Sequence, residues 1–120
     1  MATLNLDSTN FEKTIEDNDI VLIDFWASWC GPCQAFGPIF EKVSDEHNDI
    51  AFAKVDTEAQ QQLAGMFQIR SIPTLAVFRE KTLIFMQPGA LPENALEELI
   101  TKVKELDMEK VRTEMAEEAN

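Results

Sequence analysis

Basic residues are scarce in this 120-residue sequence. Ten Lys and Arg stand against 22 Asp and Glu, which gives a formal net charge of −12 at pH 7. A chain with this charge repels the phosphate backbone of nucleic acids and the headgroups of anionic lipids. The composition therefore argues against a nucleic acid or a membrane surface as the partner.

Long apolar runs, export signals and a disulfide framework are missing as well. No apolar run approaches the roughly 20 residues of a membrane-spanning helix, and the first 15 residues contain neither the basic nor the apolar region of a signal peptide. Two cysteines are too few for the scaffold of a small secreted domain. We therefore expect a cytoplasmic protein without a membrane-spanning segment.

The apolar content is sufficient for one packed domain. Hydrophobic residues make up 45% of the chain, with eight Phe and two Trp, whereas disordered acidic chains are poor in aromatic residues. The length corresponds to one ordinary domain. We predict one domain over residues 1–106, followed by an acidic helical extension or tail over residues 107–120.

Hydrophobic periodicity predicts strands that alternate with helices. Ile20–Trp26 is an almost continuous apolar run, typical of a strand covered on both faces, and only Asp24 interrupts it. The predicted strands are 3–5, 20–26, 51–56, 74–79 and 82–86; the predicted helices lie before Asp17, between Cys33 and His47, over about 59–67 and over about 92–106. The alternating part requires parallel pairs with helical crossovers, and the final strand-strand-helix unit adds an antiparallel edge.

Two local signals refine these helices. Thr9 and Glu12 have the spacing of a capping box, which predicts a helix start at this point. Pro38 lies inside the apolar pattern of the next helix, and the pattern continues beyond it. This predicts a kink rather than a helix end at Pro38.

The last 14 residues have an apolar stripe of their own. At 100° per residue, Met108, Val111 and Met115 lie about 100° away from the stripe formed between Leu96 and Leu106. A continuous helix would therefore leave the core and present a small Met/Val patch. The alternatives for this segment are a frayed acidic tail and a helix that docks a partner.

The two cysteines lie three residues apart, between a buried strand and a helix. This position exposes Cys30 to the unpaired N–H groups and the positive dipole end of the helix, which favour a thiolate. We expect Cys30 to be the more exposed and more acidic thiol, with Cys33 within disulfide reach. A chance spacing and half of a zinc site are the alternatives, but a structural zinc needs four ligands and the single His47 lies at the far end of the helix. The pair favours redox chemistry, and we expect no metal.

The residues around this pair resemble the thioredoxin family from about Asn5 to Ile100. The matching segments are DFWASWCGPC (24–33), Pro38, KVD (54–56), IRSIPT (69–74) and GA (89–90). The resemblance implies a thioredoxin fold of the α/β class, a mostly parallel central sheet with an antiparallel edge and helices on both faces. It also implies a thiol-disulfide oxidoreductase that reduces protein disulfides. Such an enzyme would be a monomer without a bound cofactor and would receive its electrons from a thioredoxin reductase and NADPH.

The resemblance assigns roles to the cysteine motif. Cys30 would attack the substrate disulfide and Cys33 would resolve the mixed disulfide. Gly31 and Pro32 match the disulfide-reducing branch of the family. Gln34 departs from the family pattern, because many members have a basic residue there.

A substrate-binding rim is implied next to the cysteines. Trp29, Ile72, Gly89 and Ala90 would form an apolar docking surface. Pro73 would be cis and face the cysteine pair, with Ile72 pairing with the substrate backbone. The sequence pattern alone is equally compatible with an ordinary trans proline at the start of a strand.

Asp24 is either a structural buried carboxyl or a proton acceptor. Burial raises the pKa of a carboxyl, so that it can accept protons near neutral pH. Lys54 on the neighbouring strand would partly offset that burial. Without the family resemblance, Lys54 would be interpreted as a solvated lysine; with it, we expect a direct or water-bridged contact to Asp24.

Further departures from the family pattern concern the backbone. The turn at residues 79–82 lacks the usual Gly, and Pro88 precedes Gly89 where a β-branched residue is common.

A second function also has to be considered. The chain could act mainly as a chaperone-like or structural binding module that uses the same apolar surface.

Overall fold

The computed structural model describes residues 2–119, which form a five-stranded sheet flanked by helices. The strands are β1 (Thr3–Asn5), β2 (Ile20–Trp26), β3 (Ala51–Asp56), β4 (Thr74–Arg79) and β5 (Thr82–Pro88). The helices are α1 (Phe11–Asp17), α2 (Gly31–Glu46), α3 (Gln61–Met66), α4 (Glu93–Glu105) and α5 (Met108–Ala119). The strand order in the sheet is β1-β3-β2-β4-β5.

The sheet is mixed. Strands β1, β3 and β2 pair in parallel, whereas β4 is antiparallel to β2 and β5 is antiparallel to β4. Two of the four strand pairs in the described sheet are therefore antiparallel, whereas the sequence predicts a mostly parallel sheet with an antiparallel edge. Thr74 at the start of β4 pairs with Phe25 near the end of β2, because the chain after α3 returns to the edge of the sheet where β2 ends. From there β4 must run back along β2.

Strand β2 is buried on both faces, as its apolar run predicts. Leu22 packs with Phe36 of α2 and Leu96 of α4 on one face. Val21, Ile23 and Phe25 pack with residues of α1 and α3 on the other face. The α/β fold class with helices on both faces is confirmed. Because side chains alternate along a strand, Asp24 lies on the same face as Leu22, the face that α2 covers.

The start of α1 differs from the predicted capping box. The Thr9 hydroxyl donates to the Asp7 carboxylate instead, and Asn10 is the N-cap residue without a side-chain cap bond. The Asp7 carboxylate also accepts the backbone N–H groups of Thr9 and Asn10. The Asp7 carboxylate thus takes the Thr9 N–H that a capping box would pair with Glu12. Helix α2 does continue past Pro38 to Glu46, as its periodicity predicts.

The segment after Leu106 forms a separate helix rather than a continuation of α4. Leu106 has extended backbone angles, and Asp107 begins the turn that leads into α5. The Arg79 guanidinium donates to the carbonyls of Val103 and Leu106 at this break, at 2.7 and 2.8 Å. The break returns Met108 to the core, where it is 4% exposed. Met108 is therefore not part of an exposed patch, whereas Met115 is 44% exposed.

Candidate active site

The two cysteines meet at the start of α2. Cys30 is the N-cap residue of this helix, and its Sγ accepts the backbone N–H of Cys33 at 3.2 Å. The two Sγ atoms are joined in a disulfide, with the Cα atoms 5.2 Å apart. Pro32 lies in the first turn, where its missing N–H leaves no helical hydrogen bond unmade. Gly31 and Pro32 are both exposed.

The expected difference in exposure between the two cysteines is absent in this disulfide form. Cys30 is 4% exposed and Cys33 is 5% exposed. The bond holds both sulfurs in one small cluster with Ala27, against which Trp26 and Ile72 pack. Any difference in exposure between the two thiols is thus a property of the reduced chain and stays a prediction.

A second segment crosses next to the disulfide. The peptide bond between Ile72 and Pro73 is cis, as the family resemblance implies. The Ile72 carbonyl oxygen lies 3.6 Å from the Cys30 Sγ. Pro73 is buried, and its carbonyl accepts the N–H of Gly89 at 2.7 Å. Gly89 has a φ of +108°, which only glycine adopts without strain.

Exposed residues lie next to the disulfide and the Ile72–Pro73 segment. Trp29 is 67% exposed, Gly89 and Ala90 are exposed, and Ile72 is half-buried. Between Trp29 and Ile72 lies an open groove of about 340 Å³, which Arg70 also lines. The structure thus brings Trp29 and Ile72 to one groove, and the hydrogen bond from the Gly89 N–H to Pro73 places Gly89 next to the same segment. Arg70 was not identified from the sequence, although it lies only two residues before Ile72.

Asp24 is completely buried within β2. It has 0% exposure, and neither carboxylate oxygen has a hydrogen-bond partner among the described residues. Desolvation raises the pKa of Asp24 to about 6, against a smaller lowering effect of the Lys54 charge. Both the direction and its cause agree with the sequence analysis.

Lys54 does not form the expected direct ion pair with Asp24. The two residues are register partners on β3 and β2. The Lys54 ammonium nevertheless lies over the ring of Trp26, 5.1 Å from its centroid. The face of the Trp26 ring attracts the ammonium, and the cavity between α2 and the sheet leaves room for it there. Lys54 therefore acts on Asp24 without a direct ion pair, and the water-bridged contact stays a prediction.

An open cavity of about 470 Å³ lies between α2 and the sheet at this point. Cys33, Gly37 and Glu41 line it from α2, and Trp26 and Lys54 line it from the strands. Sequence reasoning missed Gly37 and Glu41. Their spacing from Cys33 was an available signal, since positions i, i+4 and i+8 share one helix face.

Metal-binding clusters and membrane-spanning helices are two further features that could define a site. No cluster of three or more His, Cys, Asp or Glu side chains suited to a metal occurs within residues 2–119. None of the helices in the described part of the chain is long and apolar enough to cross a membrane.

Comparison with known proteins agrees with this geometry. The thioredoxin family model matches residues 2–102. A Streptomyces coelicolor protein provisionally named thioredoxin 2 is 53% identical over 117 residues, which cover 98% of this chain and 87% of that protein. Bacillus subtilis thioredoxin is 39% identical over 85% of this chain and 98% of its own length. The chain belongs to the thioredoxin family.

A solved structure supports the same assignment. A mutant thioredoxin from Halobacterium salinarum aligns with a TM-score of 0.80 and 38% identity, over 88% of this chain and 93% of that one. Thioredoxins are protein-disulfide oxidoreductases that need no bound cofactor. The chain is accordingly a thiol-disulfide oxidoreductase, with Cys30 and Cys33 as its disulfide-capable pair.

Proposed function

We propose that Cys30 is the attacking cysteine and Cys33 the resolving cysteine in the reduction of protein disulfides. The supporting observation is the hydrogen bond from the Cys33 N–H to the Cys30 Sγ at the start of α2. A backbone donor and a helix N-terminus both favour negative charge on this sulfur. In the reduced enzyme the same position makes Cys30 the better nucleophile.

The reaction transfers two electrons from the cysteine pair to the substrate. The Cys30 thiolate attacks one substrate sulfur, forms a mixed disulfide and releases the other sulfur as a thiolate. Cys33 then attacks the Cys30 sulfur, which closes the Cys30–Cys33 disulfide and releases the second substrate thiol. Asp24 accepts the Cys33 proton during this second step.

Substrates dock on the rim of Trp29, Ile72, Gly89 and Ala90. Ile72 lies beside the attacking sulfur of Cys30 and is placed to pair its backbone with the substrate, while Pro73 fixes the course of this segment. Gly31 and Pro32 are exposed between the cysteines and contact the incoming disulfide. Apolar contact with few side-chain hydrogen bonds suits an enzyme with many substrates.

The oxidised enzyme is reduced again by a thioredoxin reductase that takes its electrons from NADPH. We further propose that the chain works as a monomer in the cytoplasm, where thiols are kept reduced. Size-exclusion chromatography with light scattering tests the oligomeric state, and cell fractionation tests the location.

Insulin reduction tests the proposed function. The purified chain, a thioredoxin reductase and NADPH should reduce insulin disulfides with stoichiometric loss of NADPH absorbance. The double variant Cys30→Ser/Cys33→Ser keeps the rim and should be inactive. If the double variant instead suppresses aggregation of unfolded proteins as well as the wild type does, and the wild type turns over no insulin, the binding-module function is the correct one.

A further inference from the structure

The cavity beside Cys33 contains a carboxylate that the proposed reaction does not use. Cys33, Gly37 and Glu41 follow one another along the face of α2 that lines the cavity. Glu41 and Lys54 are the two charged residues of its lining. A carboxylate and an ammonium thus share one solvent-filled space with the resolving cysteine.

Lys54 is displaced toward α2. A Cβ atom built on Gly37 would lie 3.7 Å from the Lys54 Nζ, so the ammonium reaches the helix. The same ammonium lies over the Trp26 ring, whereas the carboxylate of its register partner Asp24 has no hydrogen-bond partner among the described residues. The Lys54 ammonium therefore lies in the cavity and does not form an ion pair with the buried Asp24 carboxyl.

Glu41 is held in place from another element. Its Oε1 atom accepts a hydrogen bond from the Thr3 hydroxyl of β1 at 3.0 Å. Strand β1 pairs with β3, which carries Lys54, so this contact restrains the half-buried Glu41 carboxylate near the strand of Lys54. A fixed negative charge attracts the ammonium without direct contact, because Coulomb interactions extend over several ångströms in a partly buried site.

The outer neighbouring strands place uncharged residues opposite Asp24 and Lys54. Strand β4 places Leu75 opposite Asp24, and β1 places Asn5 opposite Lys54. Asp56 at the end of β3 accepts the N–H groups of Glu58 and Ala59 in the following turn. Cys33, which also lines the cavity, is in the disulfide and does not titrate in the oxidised protein.

We propose that Glu41 is a positioning residue for Lys54, drawing its ammonium toward the α2 side of the cavity and so leaving the Asp24 carboxyl without a close counter-charge. The kinetic meaning of this arrangement rests on the proposed role of Asp24 as proton acceptor. The electrostatic arrangement itself can be measured without turnover.

Titration of the Asp24 carboxyl carbon by NMR in the oxidised protein tests the proposal. In Glu41→Gln the ammonium is free to approach Asp24, and the Asp24 pKa should fall by a few tenths of a pH unit. Glu46→Gln is the matched control, since it removes the same charge from an exposed position of α2. An equal fall in both variants, or no fall in Glu41→Gln, would overturn the proposal.

A double variant separates positioning from the direct field of Glu41. In a Lys54→Met background the effect of Glu41→Gln should drop to less than half of its wild-type size. A shift that persists at half or more of its size means that Glu41 acts directly and not through Lys54. Lys54→Gln serves the same purpose if Lys54→Met does not fold.

The pH profile of mixed-disulfide resolution separates this inference from the proposed function. If Asp24 is the base, the midpoint of that profile should move with the titration of Asp24 in Glu41→Gln. If the NMR titration shifts and the kinetic midpoint does not, the role of Asp24 as base fails while the positioning role of Glu41 stands.

Discussion

The Arg112 guanidinium of α5 lies 2.9 Å from the Glu80 carboxylate at the turn between β4 and β5. Glu80 and Lys81 form this turn with φ angles of 50° and 67°. The N–H of Glu80 also donates to the Asp19 carbonyl that precedes β2. The last helix is thus attached to the end of the sheet opposite the cysteines.

Truncation after Leu106 should leave insulin reduction unchanged and lower the free energy of unfolding by about 2 kcal/mol. The main loss is the buried side chain of Met108, since burial of a Met side chain contributes roughly 1.5–3 kcal/mol. The exposed Arg112–Glu80 pair adds little. Urea unfolding of the truncated and full chains measures the difference.

A matched pair of substitutions locates this effect on α5. Met108→Ala should reproduce most of the loss, whereas Met115→Ala at a half-exposed position should change stability by about 0.5 kcal/mol or less. Equal effects of the two substitutions would show that α5 is not anchored through Met108. Lost insulin reduction in the truncated chain would place α5 in the active site instead.

Lys81→Gly should stabilise the protein by up to about 1 kcal/mol. Left-handed backbone at two successive turn positions favours Gly in the second, and Lys carries a steric penalty there. Lys102→Gly on exposed α4 is the control and should destabilise by about 1 kcal/mol. The denaturation midpoints of the two variants should therefore move in opposite directions.

The elements and the redox pair follow from the sequence because their signals are local. The apolar run of β2 and the periodicity of α2 reflect burial that repeats at a fixed spacing. Cys30 and Cys33 are likewise adjacent in sequence and in space. The isolated charge in a buried strand suffices to predict the raised pKa of Asp24.

Features that depend on competition between partners could not be predicted in this way. The Lys54 ammonium can lie against Asp24, over the Trp26 ring or in the cavity. Its position depends on residues of α2, Gly37 and Glu41, which are remote in sequence. The direction of β4 depends on the path of the preceding loop. The Thr9 N–H similarly has two carboxylates within reach in sequence, Asp7 and Glu12, and donates to the former.

The stability of the wild type should fall as the pH rises from about 4 to about 6. The pKa of Asp24 is about 6 in the folded chain against an ordinary value of 3.8, so the folded state binds more protons in this interval. Stability therefore decreases with pH until Asp24 is ionised in both states. The difference corresponds to about 3 kcal/mol as an order of magnitude.

Asp24→Asn isolates this contribution. The variant should be more stable than the wild type by up to about 3 kcal/mol at pH 7.5 and nearly equal to it at pH 4, because a neutral amide resembles the protonated carboxyl. Asp45→Asn on the exposed surface of α2 is the control and should leave the pH dependence unchanged. An undiminished pH dependence in Asp24→Asn would contradict the assignment.

Cys30 should react before Cys33 in the reduced protein. The helix N-terminus and the Cys33 N–H stabilise a thiolate on Cys30, and the thiolate is the reactive form. Limiting iodoacetamide at pH 7, followed by peptide mass spectrometry, identifies the modified thiol. Cys33→Ser should in turn trap substrates on Cys30 as stable mixed disulfides. Preferential labelling of Cys33 would reverse the two roles.

Asp24→Asn should slow resolution of the mixed disulfide more than its formation. Formation uses the Cys30 thiolate, which the start of α2 stabilises without help from Asp24. Resolution needs removal of the Cys33 proton, and a base with a pKa of about 6 accepts it effectively near neutral pH.

Single-turnover kinetics with a model disulfide separate the two steps. General-base catalysis contributes roughly 100-fold or more, so a loss of at least tenfold in the resolution rate is expected for Asp24→Asn at pH 7. The wild-type resolution rate should rise with pH around 6, where Asp24 ionises, and this rise should be absent in the variant. If attack by Cys30 slows tenfold and resolution does not change, Asp24 is not the base for Cys33, and the proton must pass to another acceptor at the cavity.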